Sequence, residues 1–310
     1  MTVPKVSVII PAYYSYGTVT RCLTALRSQT FRDFEVILVN SSPEDRTREI
    51  VTTQFPEVAF VQHPTRLLPH AARNRGVTLA RGTLLVFTDP DCIPRPDWVA
   101  RLVEAHDAGH RVVGGSMGLS SQGWFECGVH LCKFSWRLSG LEAGPCWILP
   151  TANVLYARAV WDKTGPFDGD RFCGDAVMTW RARVHGYQPW FVPAAVVEHC
   201  HEGNVSAFWQ QRLARGREFA QARVRFEGWS RWRMLVYGVA APFLVLLVLM
   251  RTGRDAVRSG WGHRFVLTLP IQLVGQLGWC LGEARTHLNL ALHGLVSAQP
   301  PPSRKQSVKA

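Results

Sequence analysis

Short apolar runs rich in β-branched residues alternate with segments of helical period across residues 5–119, and this alternation limits the possible folds more than any other feature. Between the runs, apolar residues recur at spacings of three and four, as at Val19, Cys22, Leu23 and Leu26. Strands that alternate with helices form βαβ units. The sequence therefore predicts an α/β fold with a mostly parallel sheet flanked by helices. The first four predicted strands are Lys5–Ile10, Phe34–Val39, Val58–His63 and Thr83–Thr88.

Polar or turn-forming segments follow three of these strands, at Pro11–Tyr13, Asn40–Ser42 and Asp89–Asp91. Ligands of open α/β sheets bind beyond the carboxyl ends of the strands. We therefore expect the three segments to meet at one edge of the sheet and to form the binding site.

Two aspartates one residue apart, Asp89 and Asp91, end the fourth strand. On an extended segment both carboxylates can face the same way, which suits a hard divalent cation such as Mg²⁺ or Mn²⁺. The alternative is a solvated strand-to-helix turn with Asp97 as a cap. A second pair with the same spacing, Asp168 and Asp170, is predicted to lie in a turn.

Net charge and cysteine usage restrict the binding partners and the cellular compartment of the protein. A net charge of +12 favours nucleic acid, an anionic membrane surface or phosphorylated substrates, without choosing among them. The eight cysteines form no Cys-x-x-Cys pair, which indicates reduced core residues in a cytosolic compartment. The apolar run at the N-terminus is too short for a signal peptide, so we expect the first part of the chain to be cytosolic.

Two apolar segments distinguish the C-terminal third, Met234–Met250 and Phe265–Ala284, and each approaches the length that spans a bilayer. The arginine-rich stretch Arg212–Arg233 precedes them and would attract anionic lipids. The predicted organisation is a catalytic domain at 1–204, a basic amphipathic linker helix at 205–233, two apolar membrane-associated helices at 234–290 and a disordered tail at 291–310.

Three arrangements of the apolar segments remain open. Two spans would leave the positively charged loop RTGRDAVRSGWGH outside the cell, against the positive-inside tendency. A re-entrant hairpin, or helices lying in the interface, avoids that conflict. The third arrangement is a pair of buried helices in a soluble dimer.

Several motifs occur in a definite order, namely VSVIIPAYYSYGTVTRCLTALRSQT, FEVILVNSS, AARNRG, GTLLVFTDPDC and FCGDAVMTWRARVHGY. Together they resemble the family 2 glycosyltransferases, which have the Rossmann-like GT-A fold, over about Lys5 to His201. The segment WQQRLARGREFA lacks the QxxRW motif of the processive members. The resemblance therefore implies transfer of one or a few sugars.

The resemblance implies a role for each residue that matches a family motif. Asp89 would hold the metal as well as the diphosphate, and Tyr13 would stack on or flank the base. Asn40 stands where the family has an acidic residue that bonds the base, and an amide can both donate and accept. The plain alternative for Arg73 is a surface helix charge. The implied nucleotide-binding residues are Pro11, Ala12, Tyr13, Asn40, Arg73 and Asp89.

Asp89, Asp91 and His199 are the implied ligands of Mn²⁺ or Mg²⁺, with His201 as the rival to His199. Asp175 matches the aspartate of the family's Glu-Asp pair and would be the general base, which implies inversion at the anomeric carbon. The glutamate of that pair is replaced by Gly174. The alternative for Asp175 is a helix N-cap.

The predicted function is that of a membrane-associated glycosyltransferase at the cytoplasmic face of the cell membrane. Its predicted partners are a nucleotide-sugar donor, a glycan or lipid-linked acceptor of the cell envelope and anionic lipids, with no nucleic acid. Two alternatives remain: a nucleotidyltransferase, and a non-catalytic nucleotide-binding scaffold, the latter because Asn40 and Gly174 replace acids.

Overall fold

The computed structural model describes residues 3–171, 173–201 and 203–294 of the 310-residue chain. Within these ranges nine strands form one sheet. The strands are β1 (Val6–Ala12), β2 (Phe34–Asn40), β3 (Ala59–Gln62), β4 (Leu84–Thr88), β5 (Cys92–Pro94), β6 (Val112–Leu119), β7 (Gly144–Pro145), β8 (Asn153–Ala157) and β9 (Trp190–His199).

Helices cover the sheet and continue beyond it into a C-terminal helical layer. Two short 3-10 turns, at Ser135–Arg137 and Ala241–Phe243, join some of them. The helices are α1 (Val19–Arg27), α2 (Arg46–Gln54), α3 (Pro69–Val77), α4 (Trp98–Asp107), α5 (Trp124–Phe134), α6 (Arg158–Thr164), α7 (Gly174–Val184), α8 (Val205–Glu227), α9 (Arg231–Ala240), α10 (Leu244–Arg258), α11 (Gly262–Leu267) and α12 (Leu269–His293).

The strand order is β3-β2-β1-β4-β8-β6-β9-β5, with β7 paired to β9. The predicted α/β class with a helix-flanked sheet is confirmed. Parallel pairing extends over β3-β2-β1-β4 and returns between β6 and β9, whereas the other pairs are antiparallel. The parallel half follows from the βαβ alternation, and the antiparallel half could not be read from it.

The central strands β1 and β4 are buried at every residue, because helices cover both faces of the sheet. Gly82 does not belong to a helix, because α3 ends at Val77. Gly82 instead allows a close approach of two chain segments, since a Cβ there would lie 2.7 Å from the backbone nitrogen of Ser7. The glycine therefore serves tertiary packing.

The basic helix α8 packs along α12, and glycines bring the two backbones together. A Cβ at Gly216 would lie 2.1 Å from the Trp279 carbonyl oxygen, and one at Gly282 would lie 2.2 Å from the Leu213 oxygen. The second predicted apolar segment therefore lies largely in α12 and packs against protein. Among the described residues, one helical segment, Arg231–Arg258, is long and apolar enough to cross a membrane.

The predicted tail at 291–310 falls mostly outside the described residues, which end at Gly294. Inside them, α12 continues to His293, so residues 291–293 are helical.

Candidate active site

The carboxyl ends of β1, β2 and β4 meet at one edge of the sheet, as expected. Ala12 is in register with Asn40, and Ile9 of β1 is in register with Phe87 of β4. The loops beyond the strands are tied together, since the Ser41 backbone N–H donates to the Ala12 carbonyl at 3.0 Å. We call this edge, with the loops that follow the three strands, the rim.

Arg73 is buried beneath the rim and is not a surface helix charge. Its Nη2 forms an ion pair with Asp89, and its Nη1 lies 3.4 Å from His70 Nδ1. Arg73 is only 2 % exposed, whereas the Asp89 side chain is partly open to solvent. Arg73 therefore fixes the direction of the Asp89 carboxylate from below.

Asp91 and His199 are brought together by the antiparallel pairing of β5 with β9. Cys92 is in register with His199, and the Cys200 N–H donates to the Asp91 carbonyl at 2.9 Å. His199 Nε2 lies 3.5 Å from Asp91 Oδ2. Burial, together with the Lys133 charge, lowers the pKa of His199 to about 3, so its imidazole is neutral and has a lone pair available for a metal.

His201, the rival ligand, is already engaged. Its Nε2 lies 3.1 Å from His130 Nδ1, and His130 Nε2 lies 3.1 Å from the Met117 carbonyl oxygen. By contrast, His199 Nδ1 is buried and has no hydrogen-bond partner among the described residues. The rings of His199 and His201 stack with centroids 4.5 Å apart. The geometry thus favours His199 as the ligand and gives His201 a supporting position beside it.

Cys92 lies close enough to Asp91 and His199 to be a third ligand, since one ligand atom from each falls within 4.8 Å of the others. Its chemistry argues against that role. Burial raises the pKa of the Cys92 thiol well above its ordinary value, and the thiol donates to Asp91 Oδ1 at 3.7 Å. A protonated sulfur is a poor ligand for a hard cation, whereas carboxylate oxygens and an imidazole nitrogen suit Mn²⁺ or Mg²⁺.

Two basic side chains that the sequence did not single out as site residues lie near these acids. Lys133 of α5 is half-buried, and burial lowers its pKa to about 8, with the charge of Asp91 acting in the opposite direction. Arg215 of α8 lowers the pKa of Asp175. Lys133 lies near the C-terminal end of α5, in a stretch for which no helix was predicted.

Asp175 lies in the first turn of α7 and is not its N-cap, which is Cys173. Its Oδ1 accepts the Ala176 N–H at 2.8 Å. Burial raises the pKa of Asp175, the Arg73 and Arg215 charges lower it, and the Asp89 charge raises it further. A half-buried carboxylate that interacts with Asp89 and Arg73 has the surroundings of a general base.

Comparisons with known proteins identify the family of the chain. The family model described as glycosyl transferase family 2 matches residues 7–161, half of the chain. The chain belongs to glycosyltransferase family 2. The expectation from the ordered motifs is thereby confirmed.

Relatives of this family 2 glycosyltransferase extend the match over nearly its full length. Glycosyltransferase AglE of Haloferax volcanii is 26% identical over 300 residues, covering 89% of this chain and 95% of the relative. The mannosyltransferase PcManGT from Pyrobaculum calidifontis, solved with GDP-Man and Mn²⁺, has a TM-score of 0.64 at 18% identity over 92% of this chain and 87% of its own. GalNAc-T7, solved with UDP, GalNAc and Mn²⁺, has a TM-score of 0.52 at 16% identity, covering 64% and 44%. These likenesses confirm the GT-A fold.

The glycine that replaces the family's glutamate has a structural reason. A Cβ at Gly174 would lie 2.8 Å from His70 Cδ2 and 3.0 Å from His70 Cγ. The His70 ring is buried and packs against Phe167, with centroids 4.9 Å apart. In this glycosyltransferase the histidine therefore occupies space that a side chain at 174 would need.

Asn40 lies beneath the rim and is fully buried. Its Nδ2 donates to Gln62 Oε1 at 2.9 Å, and its Oδ1 accepts the Ser42 hydroxyl at 2.9 Å. Ser42 Oγ in turn accepts the Tyr14 N–H at 2.5 Å. Both ends of the Asn40 amide thus have partners within the protein, whereas its expected contact with the base stays a prediction.

Tyr13 is 39% exposed at the rim, where a base could stack on it. The Arg66 guanidinium lies 4.6 Å from its ring centroid, and Tyr14 packs edge-on against it at 4.7 Å. Tyr14 has a φ of 51°, a left-handed conformation that turns the chain sharply after β1. Pro11 and Ala12 belong to β1 and are buried.

A cavity of about 610 Å³ lies away from the rim, between the segment 136–145, Phe191 and the end of α10. On β6, Gly114 pairs with Phe191 and Leu119 pairs with His199. Five residues of strand separate the two pairs, or about 17 Å. The cavity is therefore distinct from the group formed by Asp89, Asp91 and His199.

Proposed function

We propose that this glycosyltransferase moves a sugar from a nucleotide-diphosphate sugar to a hydroxyl acceptor, with a divalent metal and with inversion at the anomeric carbon. One observation carries the proposal. Asp91 lies 3.5 Å from His199, and Asp89, which Arg73 holds in place, interacts electrostatically with the same histidine. This set of side chains lies at the strand ends where α/β proteins bind nucleotides.

The residues present fit Mn²⁺ or Mg²⁺, and Asp89, Asp91 and His199 would hold it. The bound ion would offset the negative charge on the departing nucleoside diphosphate. Lys133 and Arg215 supply further positive charge near these acids, and we propose that they bind the diphosphate. PcManGT and GalNAc-T7 were each solved with Mn²⁺, which supports this proposal by analogy.

We assign Tyr13 to the nucleotide base, with Pro11 and Ala12 as the buried support of its loop. Aromatic rings stack on any base, so this contact adds affinity without selecting the nucleotide. Asn40 supports these loops from the buried side, because its bonds to Gln62 and Ser42 hold the loops of β1 and β2. In this proposal Asn40 is a positioning residue.

Asp175 is the proposed general base. Its carboxylate takes the proton from the acceptor hydroxyl as that oxygen attacks the anomeric carbon. The bond from that carbon to the diphosphate oxygen breaks, and the nucleoside diphosphate leaves with the electron pair. Attack on the face opposite the leaving group inverts the configuration. The raised pKa of Asp175 supports the assignment, since a stronger base accepts a proton more readily.

We further propose that the acceptor is a glycan or lipid-linked sugar at the cytoplasmic face of the membrane, where anionic lipids attract the basic C-terminal region. The catalytic unit in this proposal is residues 1–204, and helix α8 begins the linker with Asn204 as its N-cap. The apolar segment Arg231–Arg258 supports the membrane location.

Calorimetric titration of the purified full chain with UDP, GDP and dTDP, with and without Mn²⁺, tests the site. We expect one nucleotide to bind in a metal-dependent way. Asp89→Asn/Asp91→Asn should weaken that binding at least about tenfold, because even the loss of residues that support a metal ligand costs that much. The exposed Asp170→Asn is the matched control. Failure of every nucleotide to bind the native chain would overturn the proposal.

The pH dependence of kcat/KM should report the charges around Asp175. Arg215 lowers the Asp175 pKa, so Arg215→Gln should raise it and move the acidic limb of the profile to higher pH. As the pH falls, the Asp175 carboxylate of the variant is then protonated, and its activity lost, at a higher pH than in the native chain. Arg217→Gln, an exposed arginine on the same helix, should leave the limb in place. An unchanged or lower limb in Arg215→Gln would refute the assignment.

A further inference from the structure

A stripe of exposed apolar side chains runs along α9 and α10. These helices and the 3-10 turn between them form one helical segment of 28 residues, Arg231–Arg258. The stripe residues recur at spacings of three and four, so they share one face of the helix. They are between 46 and 78 % exposed. We call this set the outer stripe: Trp232, Val236, Val239, Phe243, Leu246 and Met250.

The opposite face of the same segment is buried against the protein. We call these buried residues the inner stripe: Met234, Gly238, Ala241, Val245, Leu249, Thr252 and Ala256.

The inner stripe is anchored at both of its ends. Near the N-terminal end, Met234 packs in a cluster with Trp229, and a Cβ at Gly238 would lie 2.7 Å from Leu288 Cγ. Near the C-terminal end, Ala256 belongs to a buried cluster that includes Leu119 of β6 and Leu131 of α5.

This segment has no polar face between Met234 and Met250. Helices on the surface of a soluble protein place charged and polar residues opposite the buried stripe. Here both faces are apolar, and one of them is open to solvent. A continuous exposed apolar surface of this kind marks a site of interaction with a membrane or another protein.

Arginines lie at both ends of the outer stripe. Arg231 and Arg233 flank its first residue, Trp232, and Arg251, Arg254 and Arg258 follow its last. Arg233 pairs with Glu227 and Arg254 pairs with Asp255, whereas Arg231, Arg251 and Arg258 have no acidic partner in the part of the chain that the structure describes. An apolar stripe with unpaired cations at both ends complements an anionic bilayer surface.

We propose that Arg231–Arg258 lies in the plane of an anionic membrane surface, with the outer stripe in the acyl–headgroup boundary, and does not cross the bilayer. The inner stripe argues against a span, because crossing would carry Leu119 and the end of β6 into the hydrocarbon. The arrangement also keeps the arginine-rich loop after Met250 on the same side as the catalytic domain, consistent with the positive-inside tendency. This proposal specifies how the chain contacts the membrane, and it rests on the membrane location proposed above.

Binding of the full chain to vesicles tests the role of the outer stripe. Vesicles of phosphatidylcholine with phosphatidylglycerol should bind the native chain more tightly than phosphatidylcholine alone, and added salt should weaken the binding. Phe243→Glu/Leu246→Glu should lower vesicle binding at least about tenfold. The matched control is Val3→Glu/Val184→Glu, which changes exposed apolar residues elsewhere. Equal binding of the two double variants would overturn the proposal.

Labelling of introduced cysteines distinguishes an in-plane segment from a span. The eight native cysteines are all buried, so single Arg231→Cys and Arg258→Cys variants provide the exposed thiols. In membranes of expressing cells, a membrane-impermeant maleimide should label both positions in inverted vesicles and neither in spheroplasts. Labelling of one position from each side would establish a span and overturn the proposal. A chain that dimerises through this face and stays out of the membrane fraction would also overturn it.

Nucleotide calorimetry on the same variants keeps this inference separate from the proposed chemistry. We expect Phe243→Glu/Leu246→Glu to bind nucleotide like the native chain, because the outer stripe faces away from the packed side of the helix. A chain that binds no nucleotide but labels as expected would contradict the proposed transfer and leave the membrane geometry supported.

Discussion

Asp175→Asn is expected to lower kcat by about 10²- to 10⁴-fold, the usual contribution of a positioned general base. The asparagine keeps the shape of the side chain but cannot take the acceptor proton. Metal-dependent nucleotide binding should persist, because Asp175 lies on α7 and is not among the residues assigned to the metal. Steady-state transfer assays and calorimetry on the same preparation measure the two effects.

The exposed Asp170→Asn is the control for Asp175→Asn, since it makes the same chemical change five residues earlier in the chain. It should transfer sugar at the native rate. If Asp175→Asn kept more than about a tenth of the native kcat, Asp175 would not be the base. The anomeric configuration of the product, read by NMR, tests inversion independently.

Gly174→Glu, which restores the residue of the family pattern, is expected to damage this enzyme. The new side chain would collide with the buried His70 ring, which a Cβ alone approaches to 2.8 Å. Overpacking of this kind costs about 1–3 kcal/mol of unfolding free energy. Displacing His70 would also move Arg73 and with it the Asp89 carboxylate, and a misplacement of about 1 Å can cost about 100-fold in kcat/KM. Thermal unfolding and transfer assays measure both effects.

A second substitution shows whether His70 causes the damage. In Gly174→Glu/His70→Ala, the smaller residue makes room for the glutamate, and stability should recover in part. Gly144→Glu is the matched control, because a Cβ at Gly144 meets nothing within 4 Å. A single Gly174→Glu variant as stable and active as the native chain would show that the space at 174 is not limiting.

The sequence predicted the rim through local rules. Apolar runs that alternate with helical segments require a sheet whose strand ends carry the ligand-binding residues, and Asp89 and Asp91 lie where that rule puts them. The parallel register of β1, β2 and β4 then brings their loops together. Arg73 was expected near the nucleotide, which stays a prediction, and the structure shows that it forms an ion pair with Asp89.

Other parts of the site depend on contacts between residues far apart in the chain. Lys133 belongs to α5, a helix that the sequence did not predict, and only packing brings it near Asp91. Asn40 was expected to bond the base. In the structure its amide bonds Gln62 and Ser42, and no local sequence pattern predicts those partners. The one available signal for Lys133 was a lysine between apolar residues in the run LCKF.

The sequence by itself determined the α/β fold, the placement of Asp89 and Asp91 after β4, and the apolar character of residues 234–250, because strand periodicity and hydropathy are local properties. The tertiary structure decided which histidine faces Asp91, why residue 174 is a glycine, and which side of Arg231–Arg258 stays exposed. Each of these depends on a neighbour more than 70 residues away along the chain or on another helix: Asp91 for His199, His70 for Gly174, and α12 and β6 for the inner stripe. Local patterns carry no information about such neighbours, so only the folded chain defines them.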